Sequence, residues 1–571
     1  MGADSLIILV GDDPAALQEQ VSRCWRRLAR AGWSRRLSDP FIHVFAPSTG
    51  RLAVTRGFDG HGVLVGEVFD REGAPLSEAA RAALACRPLD GARGRAALAE
   101  IWGRYLLVRR VSGETAILRD PSGALEAVTW RKGGVTFVST AAEAVLDPWL
   151  PDDLAIDWAG VAELVRAPGE HRHELALKGL TAIAAGELRR VGSGGSYGEQ
   201  LWRPAEIYRS ARGGDPQMLR EVVERSVRAL AGQRPWVVEV SGGLDSAIVA
   251  AALEPGQRDR VTAWVNHYVD YPEGDERAYA RSVVGRVGQA LTEVRRVGLR
   301  LDTERLSRSA EGFRPAINDI DPDYNDDIAG RIEATGAWGS LTGQGGDAVF
   351  FQMPSPLIAF DEIWERRHRF RPAVVHRVAR WTRRSLWPAS GIRAWRAHQR
   401  DRSRWNHPWL DDLEGVPPAK ALQMSVLTFC QTYQGQAMRS RQGACVNPLL
   451  SQPVMEAGLA MSTVDLTWGG RDRAAARTAF VDVLPPALFS RRSKGELGAY
   501  YGEAVTEHLG FLREYLLGGA LAEAGLVDPG LEARMNRESL LWHGGFSELL
   551  SLALTEAWLR RWKRRLADRR A

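Results

Sequence analysis

Pro235-Trp236-Val237-Val238-Glu239-Val240-Ser241-Gly242-Gly243-Leu244-Asp245-Ser246 runs an apolar strand into a Gly-rich turn and then into a helix. Gly242 and Gly243 lack a Cβ, so consecutive backbone N–H groups can point at one anion without obstruction. Ser241 and Ser246 add hydroxyl donors. The Ala-rich residues 246–253 predict a helix whose N-terminus faces that anion and favours its charge. Asp245 is a carboxylate among anion donors, which makes chemical sense if it holds the Mg²⁺ that accompanies nucleotide phosphates. A Ser-Gly-Gly alone would suit an ordinary structural turn. With Asp245, Ser246 and both flanking elements present, a phosphate-binding loop is the better reading. No Walker-A pattern occurs in the chain, so transfer of adenylate from ATP is favoured over transfer of its γ-phosphate.

Ser340-Leu341-Thr342-Gly343-Gln344-Gly345-Gly346-Asp347 repeats the logic: a strand ends in a Gly-rich turn that carries one carboxylate. Strand C-termini gather at one edge of an open parallel sheet, where ligands bind. Asp245 and Asp347 are therefore expected to face one Mg²⁺–pyrophosphate from two strands, with Gly343, Gly345 and Gly346 lining the nucleotide alongside Ser241, Gly242, Gly243 and Ser246.

At 571 residues the chain is too long for a single hydrophobic core. Its 45% hydrophobic and 25% charged residues are those of a soluble globular protein. A net charge of +5 is small for this length and comes partly from Arg clusters at 366–404 and 560–570, so a whole-surface nucleic-acid binder is not indicated. Four scattered cysteines, Cys24, Cys86, Cys430 and Cys445, give no disulfide framework or zinc spacing, which suits a reducing cytoplasm. Residues 6–10 are too short for a signal peptide, Leu6 breaks the myristoylation pattern, and no run reaches transmembrane length, so no membrane partner is expected.

Up to about residue 191, runs at 62–69, 104–110, 115–119, 124–130 and 135–139 read as strands separated by turn residues, forming a β-rich unit with few long helices. Gly- and Ser-rich residues 192–197 and 210–216 read as a linker region. From 218 the pattern alternates: helices at 218–231, 246–253 and 275–287, strands at 236–240, 261–266, 291–296 and 337–342. That order predicts a parallel sheet covered by helices, with mainly helical additions after 349. The expected class is α/β, divided at 1–209 and 210–571.

These motifs resemble the asparagine synthetase superfamily from end to end. Asp275-Glu276-Arg277-Ala278-Tyr279-Ala280 is similar to its acidic helix start, and Arg473-Ala474-Ala475-Ala476-Arg477 to its basic Lys-x-x-Leu-Arg segment, with Arg for Lys. Arg491-Arg492-Ser493-Lys494-Gly495 resembles the segment with the family's active-site lysine. Val65-Gly66-Glu67-Val68 and Arg119-Asp120-Pro121-Ser122-Gly123 are similar to glutaminase-domain landmarks. The resemblance implies an N-terminal Ntn-glutaminase-like domain, followed by a PP-loop ATP pyrophosphatase domain of the adenine nucleotide α hydrolase-like kind. It also implies ATP and Mg²⁺ as cofactors, Lys494 and Arg473 neutralising phosphate charge, and adenine recognition by backbone near Val240 and the 263–265 strand end, Trp264 included.

Departures from the family choose the branch. A glutamine-hydrolysing member needs a cysteine directly after the initiator Met; here position 2 is Gly2, so the first domain is expected to be a degenerate glutaminase releasing no ammonia. The acyl-AMP must then meet an amine carried by the substrate. β-Lactam-type synthetases carry a Tyr, partnered by a Glu, where this chain has Gln344, and a glutamine accepts no proton at neutral pH. A peptide α-amine, with a reference pKa of ~7.7–8, needs no strong base. The chain thus most resembles lasso peptide macrolactam synthetases. That implies a linear core peptide as substrate, with a leader peptidase and a leader-recognition protein as candidate partners. The segment 364–409, rich in Arg and Trp, reads either as a basic aromatic wall for that peptide or as solvated helix faces with tryptophans turned to the core.

Overall fold

The computed structural model of the chain describes residues 2–569 except 112, 168–172, 212, 273, 318, 384–387, 435–437, 492–494, 496 and 543. The first 200 residues build two six-stranded sheets whose paired strands run antiparallel. One is ordered Thr181–Ala182, Val128–Lys132, Val135–Ser139, Ile7–Val10, Ile42–Pro47, Trp33–Ser38; the other Gly195–Gln200, Glu187–Gly192, Glu114–Arg119, Ile101–Val111, Gly62–Asp70, Val54–Arg56.

Strand periodicity explains their stacking. In Ile7–Val10, Ile8 and Val10 join Val63, Val65, Leu106 and Val108 of the other sheet in one apolar cluster. Ile7 and Leu9 turn the opposite way, onto Leu17, Val21, Cys24 and Leu28 of the 17-residue helix Pro14–Arg30. A strand apolar on both faces is what a buried middle layer requires. The second sheet covers its outer face with helices Glu78–Cys86 and Gly91–Glu100, giving a helix–sheet–sheet–helix stack.

Two expectations for this half need correction. Residues 192–197 are not a linker but the turn and start of a β-hairpin, in which Glu187–Gly192 pairs with Gly195–Gln200. The strand expected at 124–130 begins only at Val128, because the Arg119 guanidinium ties down the carbonyls of Gly123 and Leu125 and holds that stretch in a turn.

The second half is organised on a five-stranded parallel sheet. Its strands are β1 (Trp236–Glu239), β2 (Val261–Tyr268), β3 (Leu291–Arg295), β4 (Gly339–Leu341) and β5 (Ala444–Val446), in the order β3-β2-β1-β4-β5. Helix α1 (Pro216–Ala231), capped by Asp215, buries Leu219, Val223, Val227 and Leu230 at helical spacing beneath β1. The helices α2 (Leu244–Ala252), α3 (Arg277–Arg286), α4 (Pro322–Thr335) and α5 (Gly346–Val349) follow β1, β2, β3 and β4 respectively. The last helix, α6 (Gly545–Asp568), reaches back to the first half. Arg565 donates to the Ala142 carbonyl at 2.8 Å, and Leu549, Trp558 and Trp562 pack in the same cluster as Ile7 and Phe137. No helix among the described residues is long and apolar enough to cross a membrane.

Candidate active site

β1 and β4 lie side by side, so the two Gly-rich turns leave the sheet as neighbours at its C-terminal edge. Their glycines are needed where the turns touch. A Cβ on Gly343 would stand 2.3 Å from the Ser246 backbone nitrogen, and one on Gly346 would stand 2.6 Å from the Asp245 carboxyl carbon. Gly242 has φ +87°, and a Cβ there would meet the Glu276 carbonyl oxygen at 2.6 Å. Only glycine admits so close an approach.

Within the first loop the serine hydroxyls hold the turn. Ser241 Oγ and Ser246 Oγ are 3.0 Å apart, the Gly243 N–H donates to Ser241 Oγ at 3.2 Å, and the Ser241 N–H donates to Ser246 Oγ at 3.2 Å.

Asp245, in the first turn of α2, and Asp347, in the first turn of α5, converge. Arg473 Nη1 donates to Asp245 Oδ2 and to Asp347 Oδ1, each at 2.7 Å. One cationic nitrogen thus touches both carboxylates. Arg473 was expected to face phosphate; its guanidinium instead lies between the two acids, and its Nε donates to Asp472 at 2.9 Å. Burial works against its charge, but Asp245, Asp347 and Asp472 outweigh that and raise its pKa above the ordinary arginine value. Its backbone is strained to match: Arg473 has φ +50°, Phe351 has φ +62°, and the Arg473 N–H donates to the Phe351 carbonyl at 3.3 Å.

The donor set suits a hard divalent cation. Two carboxylate oxygens from different helix starts are the protein share expected for Mg²⁺, which keeps waters and takes its other ligands from phosphates. Among the described residues no group of three or more His, Cys, Asp or Glu could hold a metal ion. Beside the loop lies a cavity of about 180 Å³ lined by Gly243, Gln352, Trp381, Arg473, Arg477 and Arg491.

The acidic helix start ties a third segment to this place. Glu276 accepts from Arg491 and, at 2.7 Å, from the Gly495 N–H. Lys494 lies outside the described residues. The positions expected to recognise adenine need correction. The Val240 N–H donates to the Val265 carbonyl at 2.8 Å, and its own carbonyl accepts from Asn266 Nδ2 at 2.7 Å. Trp264 is mid-strand, paired to Val238 and Leu291, and 2% exposed; β2 continues to Tyr268, so the strand end lies beyond 263–265. The segment 364–409 divides between its two readings: Trp409 is buried and donates to the Ala185 carbonyl, whereas Trp364 is exposed.

A ring of partners around Gln344 escaped the sequence reading. Arg439 Nη2 donates to Gln344 Oε1 at 3.2 Å and its Nη1 to Glu239, which also accepts from the Tyr324 hydroxyl. These residues are far apart in the chain and carry no motif.

Residues 218–560, well over half the chain, match the family described as asparagine synthase. The chain belongs to the asparagine synthase family. No match was found among curated proteins. Among solved structures, the glutamine phosphoribosylpyrophosphate amidotransferase from B. subtilis complexed with ADP and GMP is 10% identical, with a TM-score of 0.22 over 41% of this chain and 60% of its own. A structure titled as the allosteric regulatory enzyme of purine biosynthesis is likewise 10% identical, with a TM-score of 0.22 over 51% of this chain and 80% of its own. Likenesses that slight carry no argument. Membership of the asparagine synthase family supports ATP-dependent amide-bond formation in general, with ATP as the nucleotide.

Proposed function

We propose that this asparagine synthase family member is an AMP-forming ligase that closes a macrolactam ring in a linear peptide, as lasso peptide synthetases do. The observation that carries the reading is the meeting of Asp245 and Asp347, from the first turns of the helices that follow two adjacent parallel strands, on one cation position beside the Ser241–Ser246 loop. Mg²⁺ held there would neutralise the triphosphate. Ser241, Gly242, Gly243 and Ser246 hold the departing pyrophosphate, with Gly343, Gly345 and Gly346 letting the second loop close over it. Arg473, Arg477 and Arg491 line the exit, and Lys494 is assigned to the charge that builds on the phosphates. In the first step a core-peptide Asp or Glu carboxylate attacks the α-phosphorus; in the second the peptide's N-terminal amine attacks the mixed anhydride and AMP leaves.

The ammonia-free branch has its own support. Glu67 of the glutaminase-like landmark is ion-paired with Arg104 and with Arg234, just ahead of β1, and Arg104 also holds Asp4. A landmark locked into ion pairs, one of them reaching the second domain through Arg234, suits a degenerate Ntn-glutaminase domain kept as a brace. Between the halves lies a recess of about 90 Å³ lined by Glu126, His173, Arg314, His407 and Gln434. Gln434 accepts from Asn447, which accepts from Thr342 of the second loop at 2.6 Å. The test is a mass spectrum of a synthetic linear peptide, with one internal Asp and a free N-terminus, incubated with protein, ATP and Mg²⁺. Loss of one water with AMP release is expected; asparagine made from aspartate and ammonia would defeat the macrolactam reading in favour of a small-molecule amide ligase.

A further inference from the structure

Gln344 stands in the second loop between Gly343 and Gly345, both of which press on neighbouring backbone or side chains, and it is held by one end only. Its Oε1 accepts from Arg439 Nη2 at 3.2 Å. A guanidinium has donors and no acceptor, so the atom that it holds must be the oxygen and not the amide nitrogen. Arg439 is itself immobilised: it is 4% exposed, and its Nη1 lies 3.2 and 3.3 Å from the two oxygens of Glu239 at the end of β1. Glu239 takes a further hydrogen bond from Tyr324 of α4.

The anchor continues outward. The Tyr324 ring meets the His267 ring edge-on at 4.6 Å and lies under the Arg296 guanidinium at 4.8 Å. His267 Nε2 sits 2.9 Å from Asp327, which Arg331 also grips at 2.6 Å. A buried ion pair enclosed in this way is strongly resisted from breaking. Gln344 is therefore held with a fixed orientation: its oxygen tied to Arg439, its –NH₂ without a partner among the described residues.

We propose that Gln344, oriented by Arg439 and Glu239, donates a hydrogen bond from Nε2 to the carbonyl oxygen of the acyl adenylate during amide formation. The assignment rests on the ligase reading above. As the amine nitrogen forms the C–N bond, negative charge gathers on that oxygen. The C–O bond to AMP then breaks, its electron pair leaving with AMP, and an amine proton passes to water. A preorganised donor at a developing oxyanion contributes on the order of 10²–10³ in rate. The arrangement also explains a glutamine at this position. A glutamate would turn both oxygens toward Arg439 and bring no donor. Arg439 and Glu239 are positioning residues in this scheme; Gln344 is the one that touches substrate.

The test separates two half-reactions of the full chain, using the same synthetic peptide with one internal Asp. ATP–pyrophosphate exchange reports activation, and single-turnover formation of cyclic product reports closure. Gln344→Leu should leave exchange within about threefold and slow closure on the order of a hundredfold. Gln344→Glu should slow closure likewise. Arg439→Lys should keep a charge for Glu239 yet lose the fork that holds the amide, giving the same split in milder form. Equal loss in both half-reactions, or unchanged closure in Gln344→Leu, would overturn the donor role. No peptide-dependent exchange by the unaltered protein would overturn the ligase reading, and this assignment with it.

Discussion

Two kinds of carboxylate-bearing turn stand in this molecule, and they are built to opposite ends. Asp120, in the turn after strand Glu114–Arg119, is fully buried and accepts from the Tyr105 and Ser122 N–H groups at 3.1 and 2.8 Å and from the Ser122 hydroxyl. Beside it Arg119 donates to the carbonyls of Leu125, Ile183 and Gly123. Every charge there is consumed by architecture. Asp245 and Asp347 follow Gly-rich turns, yet they converge on one another, and the Asp347 side chain remains 44% exposed. Like charges brought together at an open edge are destabilising unless a cation joins them, so that turn is kept for chemistry.

The sharpest break in that contrast comes from neutralising each acid. Asp245→Asn and Asp347→Asn should each cut AMP formation by on the order of 10²–10³, because each removes a charged oxygen ligand. Circular dichroism should show the fold unchanged, and substantial turnover by either variant would remove the shared-cation assignment. Arg104→Ala should do the reverse. Breaking its buried pairs with Asp4 and Glu67 should lower unfolding free energy by about 3 kcal/mol in denaturant titrations, with activity per folded molecule retained.

Burial raises the Asp120 pKa to about 6, against the opposing pull of Ser122 and Arg119. A carboxyl whose folded pKa exceeds its unfolded one adds stability that is fully present below the unfolded pKa and lost as pH rises through the folded one. Between roughly pH 4 and 6 this should cost about 2–3 kcal/mol. Asp120→Asn should flatten that slope, and an unchanged slope would assign it to other groups. The smallest effect belongs to Cys24. Burial against strand Ile7–Val10 pushes its thiol up to about 11, despite Arg27, Lys132 and Arg23 nearby, so it is no thiolate at neutral pH. Cys24→Ala should leave ring closure unchanged and cost about 1 kcal/mol. Glutamate release from glutamine that depends on Cys24 would revive a glutaminase.

What was legible in the chain follows from how local each signal is. Strands 62–69, 104–110, 115–119 and 135–139, and the alternation from 218 to 342, were readable because period and turn residues are written within a few positions. Both Gly-rich loops were readable for the same reason. β5 was not, since three residues, Ala444–Val446, carry no periodicity and gain strand form only by pairing with β4. Residues 192–197, the turn and start of the returning strand of the hairpin, read as a linker because Gly- and Ser-rich turns look alike whether or not strands flank them. The Arg439–Glu239–Tyr324 anchor of Gln344 joins residues separated by 200 and 85 positions, and only the folded sheet edge brings them together.

Helix α6 carries a last consequence. Its Arg565 contacts Ala142 across 423 residues of chain, and Trp558 and Trp562 both donate to the Gly312 carbonyl at 3.2 Å. The C-terminal end of the chain is thus clasped onto the sheet that the N-terminal strand begins. Closing so long a loop adds only about 0.6 kcal/mol for each doubling of its length, while prying α6 away exposes indole rings on both sides of the junction. Heat should therefore find no weaker half to melt first, and scanning calorimetry should show the antiparallel and parallel sheets lost in a single transition.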